Sequence, residues 1–291
     1  MYHYIRDYNE KYPHFNFLSK KNYLGQLNKF KEDGIITQKE DLMNLSKNYI
    51  FTFDDGFKDH LYAADELKKI GAIGIFFIST YPIKNKDFLD VHKTHLITGK
   101  MGGKIPLETL YKYLKEIGED KFLNNIEKKK FSSPYANQKD TEEKKEFKKI
   151  INYCSNLKKR SNILNYLLKF FNIDESPDDF YLNEEEIKYL SDIGMIIGSH
   201  SVKHTLLSRL NINEQEKELR ESKEFIETIT KKECDFFCYP YGGKNSYDQN
   251  TLNLLKKLGY KFSFSVDNRD INKEDLLNKP LELPRYDCNQ F

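Results

Sequence analysis

At 291 residues, with 38% hydrophobic and 14% aromatic content but no Trp, the chain is long enough for one large domain or two small ones around a substantial core. Its 47 basic residues are nearly balanced by 45 acidic ones, a formal charge of +2 that argues against a nucleic-acid surface. Basic runs such as Lys128 to Lys130 and Lys144-Lys145 sit beside Glu127, Glu142, Glu143 and Glu146 and read as solvated helix faces.

In chain order, "MYHYI" reads as a first short strand, followed by a helix that Ser19 starts and Gly34 stops, with Tyr23, Leu27 and Phe30 on one face. "YIFTF" is a second strand and "LYAADELKKIG" a helix ending at Gly71. The apolar run "AIGIFFIST" suits a strand covered on both faces. An interruption from Pro82 to Tyr181 carries helical patterns, clearest in "SNLKKRSNILNYLLKFF", and a polar stretch, "SSPYANQKDTEEKKE", expected to be a mobile loop. Alternation then resumes. Asn183 with Glu186 makes a capping box for "EEEIKYLSDIG", and the strand "MIIGS" follows. Asn213 with Glu216 is expected to begin a helix carrying Leu219, Phe225, Ile226 and Ile229. "FFCYP", a helix with Leu252, Leu255 and Leu258, "YKFSFSV" and "LELPR" complete the series.

Seven strands alternating with helices imply an α/β fold with a parallel sheet, as a barrel or an open sheet. The expected organisation is a single catalytic domain over 1–291, with 82–181 as a helical insertion after the third strand. An insertion there overhangs the active-site face of a parallel barrel, as a lid or as a peripheral decoration. The opening "MYHYIRDYNEKY" has no apolar run of the signal-peptide kind, and no stretch reaches the length of a membrane span, so a cytoplasmic protein is expected. Cys154, Cys234, Cys238 and Cys288 form no zinc-ribbon pattern and no disulfide framework, and read as free thiols.

Three strand ends carry chemistry. In "FTFDDG" two carboxylates, Asp54 and Asp55, lie side by side after an apolar strand, as an Asp-Gly turn or as a place for a cation. A haloacid-dehalogenase nucleophile would have to occupy position 53, which is Phe, so that chemistry is excluded. In "IIGSHSVKH", His200 and His204 are four residues apart, so both imidazoles can reach one ion if the turn is helical. In a parallel α/β architecture the carboxyl ends of the strands converge. One carboxylate with two imidazoles then makes a three-ligand set for a catalytic divalent metal, Zn²⁺ first with Co, Ni or Mn as alternatives. The remaining aspartate can take a proton from an attacking water. "FFCYPYGG" ends another strand in a tight turn whose backbone N–H groups can hold an oxyanion.

"TFDDG", "SHSVKH" and "YPYG", in this order, resemble the NodB-homology polysaccharide deacetylases, carbohydrate esterase family four. The resemblance runs over 1–291 apart from the insertion, and its first two motifs are specific in combination. It implies a distorted parallel (β/α) barrel, often of seven strands. It further implies Asp54 as catalytic base, Asp55, His200 and His204 as metal ligands, and Tyr241 as a backbone oxyanion donor. Two departures stand out. Cys238 occupies the place of a common Arg, and no histidine follows His204 to act as the late general acid. Arg285 and Asp287 are available to orient the base or bind substrate, and His3 is the leading substitute acid. His92 and His95 lie in the insertion, able to close over the site or to make a second metal pair, and more simply structural.

The activity so implied is metal-dependent removal of an acetyl group from an N-acetylated sugar, expected to be a surface-glycan precursor. O-deacetylation or deformylation on the same scaffold is the nearest alternative, and a glycan-binding protein without turnover the more distant one.

Overall fold

The computed structural model describes residues 1–34, 48–119, 140–152 and 157–291. They form two compact units, one of Met1–Asp7, Phe17–Asp87 and Pro177–Phe291, the other of Tyr8–Asn16 and Phe88–Ser176. The first unit holds a five-stranded parallel sheet in sequence order: β1 (Phe51–Phe53), β2 (Gly74–Ile78), β3 (Ile196–Ser199), β4 (Phe236–Cys238) and β5 (Phe262–Phe264). Register runs from Phe51↔Gly74 through Ile75↔Ile196 and Ser199↔Phe237 to Phe236↔Phe262.

Apolar residues on both faces make these segments strands, because each face is covered. Every residue of β2 is buried. Phe53 stacks flat on its register partner Phe76, with ring centroids 4.4 Å apart. Gly198 in β3 is a packing glycine. A Cβ there would lie 2.6 Å from the Phe77 ring and 3.0 Å from the Phe236 carbonyl oxygen.

Among the described residues the sheet has five strands, against the seven expected. The outermost segments make only isolated parallel bridges, Tyr2↔Phe53 and Phe264↔Leu283. At the front, Tyr2 N donates to Thr52 O and Asp54 N to Tyr2 O, after which Tyr4 O turns to accept from Leu18 N. At the back, Pro284 follows Leu283 and has no N–H to continue a ladder. The two flanks meet, since Cys288 N donates to Met1 O.

The helices of this unit are α1 (Lys20–Asp33), α2 (Asp59–Lys69), α3 (Tyr81–Asn85), α8 (Pro177–Phe180), α9 (Glu184–Asp192), α10 (Ile212–Thr230), α11 (Gln249–Lys257) and α12 (Lys273–Asn278). Ser19 and Asn183 cap α1 and α9 as their sequences suggest. For α10 the cap is Asn211 with Glu214, not Asn213 with Glu216. The segment "NINEQE" contains two overlapping Asn-x-x-Glu frames, and the earlier one places Ile212 at the first helical position.

The second unit is helical: α4 (Asp90–Met101), α5 (Lys104–Glu116), α6 (Glu142–Asn152) and α7 (Leu157–Phe170), packed around Ile97, Leu110, Phe147, Ile151 and Leu164. The stretch expected as a loop is partly helix, for Glu142 opens α6; residues 132–139 of it lie outside the described residues, as do Lys128 to Lys130 and Cys154. Lys144 is buried rather than solvated, its Nζ 2.9 Å from Asp140 one turn earlier. Among the described residues no helix is long and apolar enough to cross a membrane.

Candidate metal centre

Three chain reversals at the carboxyl ends of β1, β3 and β4 carry the motifs. Each uses a conformation that side chains resist. Among the described residues seven non-glycines have positive φ; Lys86 and Lys231 end helices and Asn172 follows the helix ending at Phe170, while Asp55 (82°), Ser201 (62°), His204 (52°) and Tyr241 (65°) lie in these reversals. Such residues cost on the order of 1–3 kcal/mol each and persist only where surroundings over-determine them.

After β1, Asp54 continues the sheet by donating its N–H to Tyr2 O, and Asp55 with Gly56 then reverses the chain. After β3, His200 N donates to Ile78 O and its carbonyl accepts from Ser79 Oγ at 3.0 Å, docking the loop on the end of β2. Ser201 Oγ accepts from His204 N at 3.1 Å, which tightens the turn so that the second imidazole comes back beside the first. The two rings stand 4.8 Å apart, nearly perpendicular.

The result brings Asp55, His200 and His204 together, all buried, their donor atoms within 4.8 Å of one another. Asp55 Oδ1 is 3.4 Å from Nε2 of His200 and 3.4 Å from Nε2 of His204. Metal–ligand bonds of about 2.0–2.1 Å at tetrahedral angles separate donors by about 3.3–3.4 Å, so both carboxylate–imidazole edges have the span that a tetrahedral ion requires. The tautomer of His200 fits as well. Its Nδ1 lies 2.8 Å from Cys238 O, a group that can only accept, so Nδ1 carries the proton and Nε2 presents its lone pair.

Asp54 has a different environment. Arg285, buried, donates Nη1 to Asp54 Oδ1 at 2.7 Å and Nη2 to Oδ2 at 2.9 Å, a bidentate pair. Burial pushes this carboxyl up, but the charge and hydrogen bonds of the Arg285 guanidinium outweigh it and hold the group well below the usual carboxylate range. Arg285 also donates Nε to Ser265 O and Nη1 to Thr52 Oγ1, so its own position is set from β1 and from the segment after β5.

His3 reaches the same place, with Nε2 4.0 Å from Asp54 Oδ2 and 3.9 Å from Asp55 Oδ2, and its side chain is 40% exposed. Tyr241 sits in the reversal after β4, its ring 4.9 Å from that of His204. The next residue must be glycine, because at φ 64° a Cβ on Gly242 would fall 2.3 Å from Val266 Cγ2. Asp287 is not drawn in: its Oδ1 accepts from Asn289 N and Nδ2, capping the turn Cys288–Gln290. His92 and His95 lie on α4 with rings 5.8 Å apart, and no cluster of three potential ligands among the described residues includes them.

Two partnerships at the site carry no signal of their own in the sequence. Cys238, the last residue of β4, places Sγ 3.5 Å from Asp54 Oδ2 and 2.9 Å from Arg285 Nη2. Its position in the third motif marks it, but nothing local says that it meets a guanidinium from residue 285. Glu218, on α10, accepts from the backbone of the histidine loop, and surface-like helix periodicity gives no hint of that.

The polysaccharide deacetylase family profile matches residues 162–263, about a third of the chain, including both histidines and the third motif. YxkH of Bacillus subtilis, which its name assigns provisionally to the polysaccharide deacetylases, is 28% identical over 87 residues. That match covers 30% of this chain and 30% of the relative's own length. Among solved structures, the Streptococcus pyogenes deacetylase PplD, in complex with acetate, superposes with a TM-score of 0.60 at 16% identity, over 98% of this chain and 88% of that one. A polysaccharide deacetylase from Bacillus cereus gives 0.55 at 17% identity, over 98% of this chain and 62% of its own. At these identities the structural likeness is one of fold, and with the family profile it bears out the resemblance read from the motifs.

Proposed function

We propose that the protein is a metal-dependent hydrolase that removes the acetyl group of an N-acetylated sugar. The observation that carries this reading is the Asp55–His200–His204 donor set lying beside a second carboxylate, Asp54, that Arg285 keeps ionised. An ion held by the three donors, Zn²⁺ before Co, Ni or Mn, supplies Lewis-acid polarisation and a lowered water pKa. Asp54 then accepts the proton of the attacking water, and the Tyr241 backbone N–H supports charge developing on the carbonyl oxygen. His3, reaching both carboxylates yet open to solvent, delivers a proton to the departing amine nitrogen. That proton favours the amide over the ester, because an amine leaves only when protonated and an alcohol leaves more easily. In this reading residues 82–181 interrupt a single catalytic domain as a helical insertion.

The test is divalent-metal content, compared with Asp55→Ala and His204→Ala, followed by acetate release from matched N-acetyl and O-acetyl sugars. About one ion per chain, lost in both variants, with faster release from the amide, is the expected result. Equal and negligible binding by all three proteins overturns the metal-dependent reading. Faster release from the ester overturns the amide assignment.

A further inference from the structure

The two imidazoles sit in a five-residue loop, 200–204, of which two residues, Ser201 and His204, are held at positive φ. Left alone, such a loop relaxes toward ordinary backbone angles and carries its imidazoles apart. Its outer side presents two successive backbone N–H groups, of Val202 and Lys203, the kind of concavity that binds anions. The anion is supplied by the chain itself. Glu218 Oε2, from the second turn of α10, accepts from Val202 N at 2.9 Å and from Lys203 N at 2.8 Å. The same helix is anchored to β3 by the Ser199 Oγ–Ser222 Oγ contact of 2.7 Å, one turn further on. Helix, strand and loop therefore form a closed frame around the imidazole pair.

We propose that Glu218 is a positioning residue that sets the His200–His204 geometry for the metal by clamping the loop backbone between them. The proposal rests on the metal reading above. Glu218 touches neither ion nor substrate; it acts through the peptide groups of residues 202 and 203. One carbonyl-type oxygen is enough for both bonds, so Glu218→Gln retains the clamp, whereas Glu218→Ala removes it. Glu218→Asp withdraws the carboxylate by one methylene while keeping its charge.

The measurement is Co²⁺ and Zn²⁺ affinity by chelator competition, with the visible spectrum of the Co²⁺ form and the melting temperature of each metal-free protein. Expected are affinities about tenfold or more weaker for Glu218→Ala and Glu218→Asp, with altered Co²⁺ bands, and near-native values for Glu218→Gln. The metal-free melting temperature of Glu218→Asp should stay close to wild type, which separates a clamp from a general loss of fold. If Glu218→Ala does not fold, Glu218→Asp and Glu218→Gln decide. Metal binding by the wild type with unchanged affinity and spectrum in Glu218→Asp overturns this proposal alone. Absence of metal binding by the wild type overturns the metal reading with it.

Discussion

The carboxylate turn after β1 and the histidine loop after β3 do the same job by opposite means. The first buries negative charge and is braced by a cation, Arg285, which grips a side chain directly. The second offers imidazoles and is braced by an anion, Glu218, which grips the backbone N–H groups of residues 202 and 203. In each case the brace has the charge that its turn can pair with. The difference lies in what a lost brace leaves behind: a buried carboxylate without its counter-charge in one case, two unpaired peptide groups in the other.

The largest effect should come from breaking the first brace. Arg285→Ala leaves Asp54 buried and uncompensated, a change that costs about 3–5 kcal/mol of stability in comparable buried pairs. Without the guanidinium, burial raises the Asp54 carboxyl, so more of it is protonated at a given pH. The acidic limb of the pH–rate profile should therefore move to higher pH, and Arg285→Lys should move it back only in part, because a single ammonium cannot make the bidentate pair. An unshifted limb in Arg285→Ala would show that the pair is structural and does not tune the base.

Acid should strain the helix that follows the first turn. His60, in the first turn of α2, is fully buried with Nε2 3.0 Å from the His3 carbonyl oxygen, and burial pulls its pKa down to about 4. It is neutral when folded, and the unfolded chain takes up its proton near pH 6.5. The stability it allows is thus complete above that pH and is lost as pH falls from about 6.5 to about 4, by roughly 3 kcal/mol at most. Thermal melts of the metal-free protein across this range should show the fall, and His60→Gln should flatten it.

The smallest expected effect is Cys238→Ala. Its thiol, pushed well up by burial, meets Arg285 as a neutral group, and Arg285 keeps its contacts to Asp54, Thr52 and Ser265. A loss near 1 kcal/mol with the pH profile in place would confirm that the guanidinium carries the brace. A shift of the acidic limb would make the thiol part of it.

Much of this was legible in the chain. The buried strands announced themselves by apolar runs too continuous for a surface sheet, and the Asp and His pairs by their places at strand ends. The outer strands were overread, because "MYHYI" and "LELPR" have the composition of strands while Pro284 and the early turn at Tyr4 prevent a ladder. The helical start at Asn211 was missed because two equivalent capping frames overlap. The late motif offers Arg285 to orient the base, but no local pattern could reveal the bidentate form of its grip on Asp54, the Cys238 thiol between them, or the clamp of Glu218. These depend on which strand ends the topology brings side by side, and a sequence window does not contain that information.

The Arg285–Asp54 pair joins positions 231 residues apart. A growing chain therefore makes its Asp54 turn long before the guanidinium that completes it. Until residue 285 has left the ribosome, Asp54 has no guanidinium to hold it in the interior, and burying that turn is disfavoured. Products that stop short of residue 285 should then remain open at the first strand and lack the Asp54 geometry that the proposed hydrolysis needs.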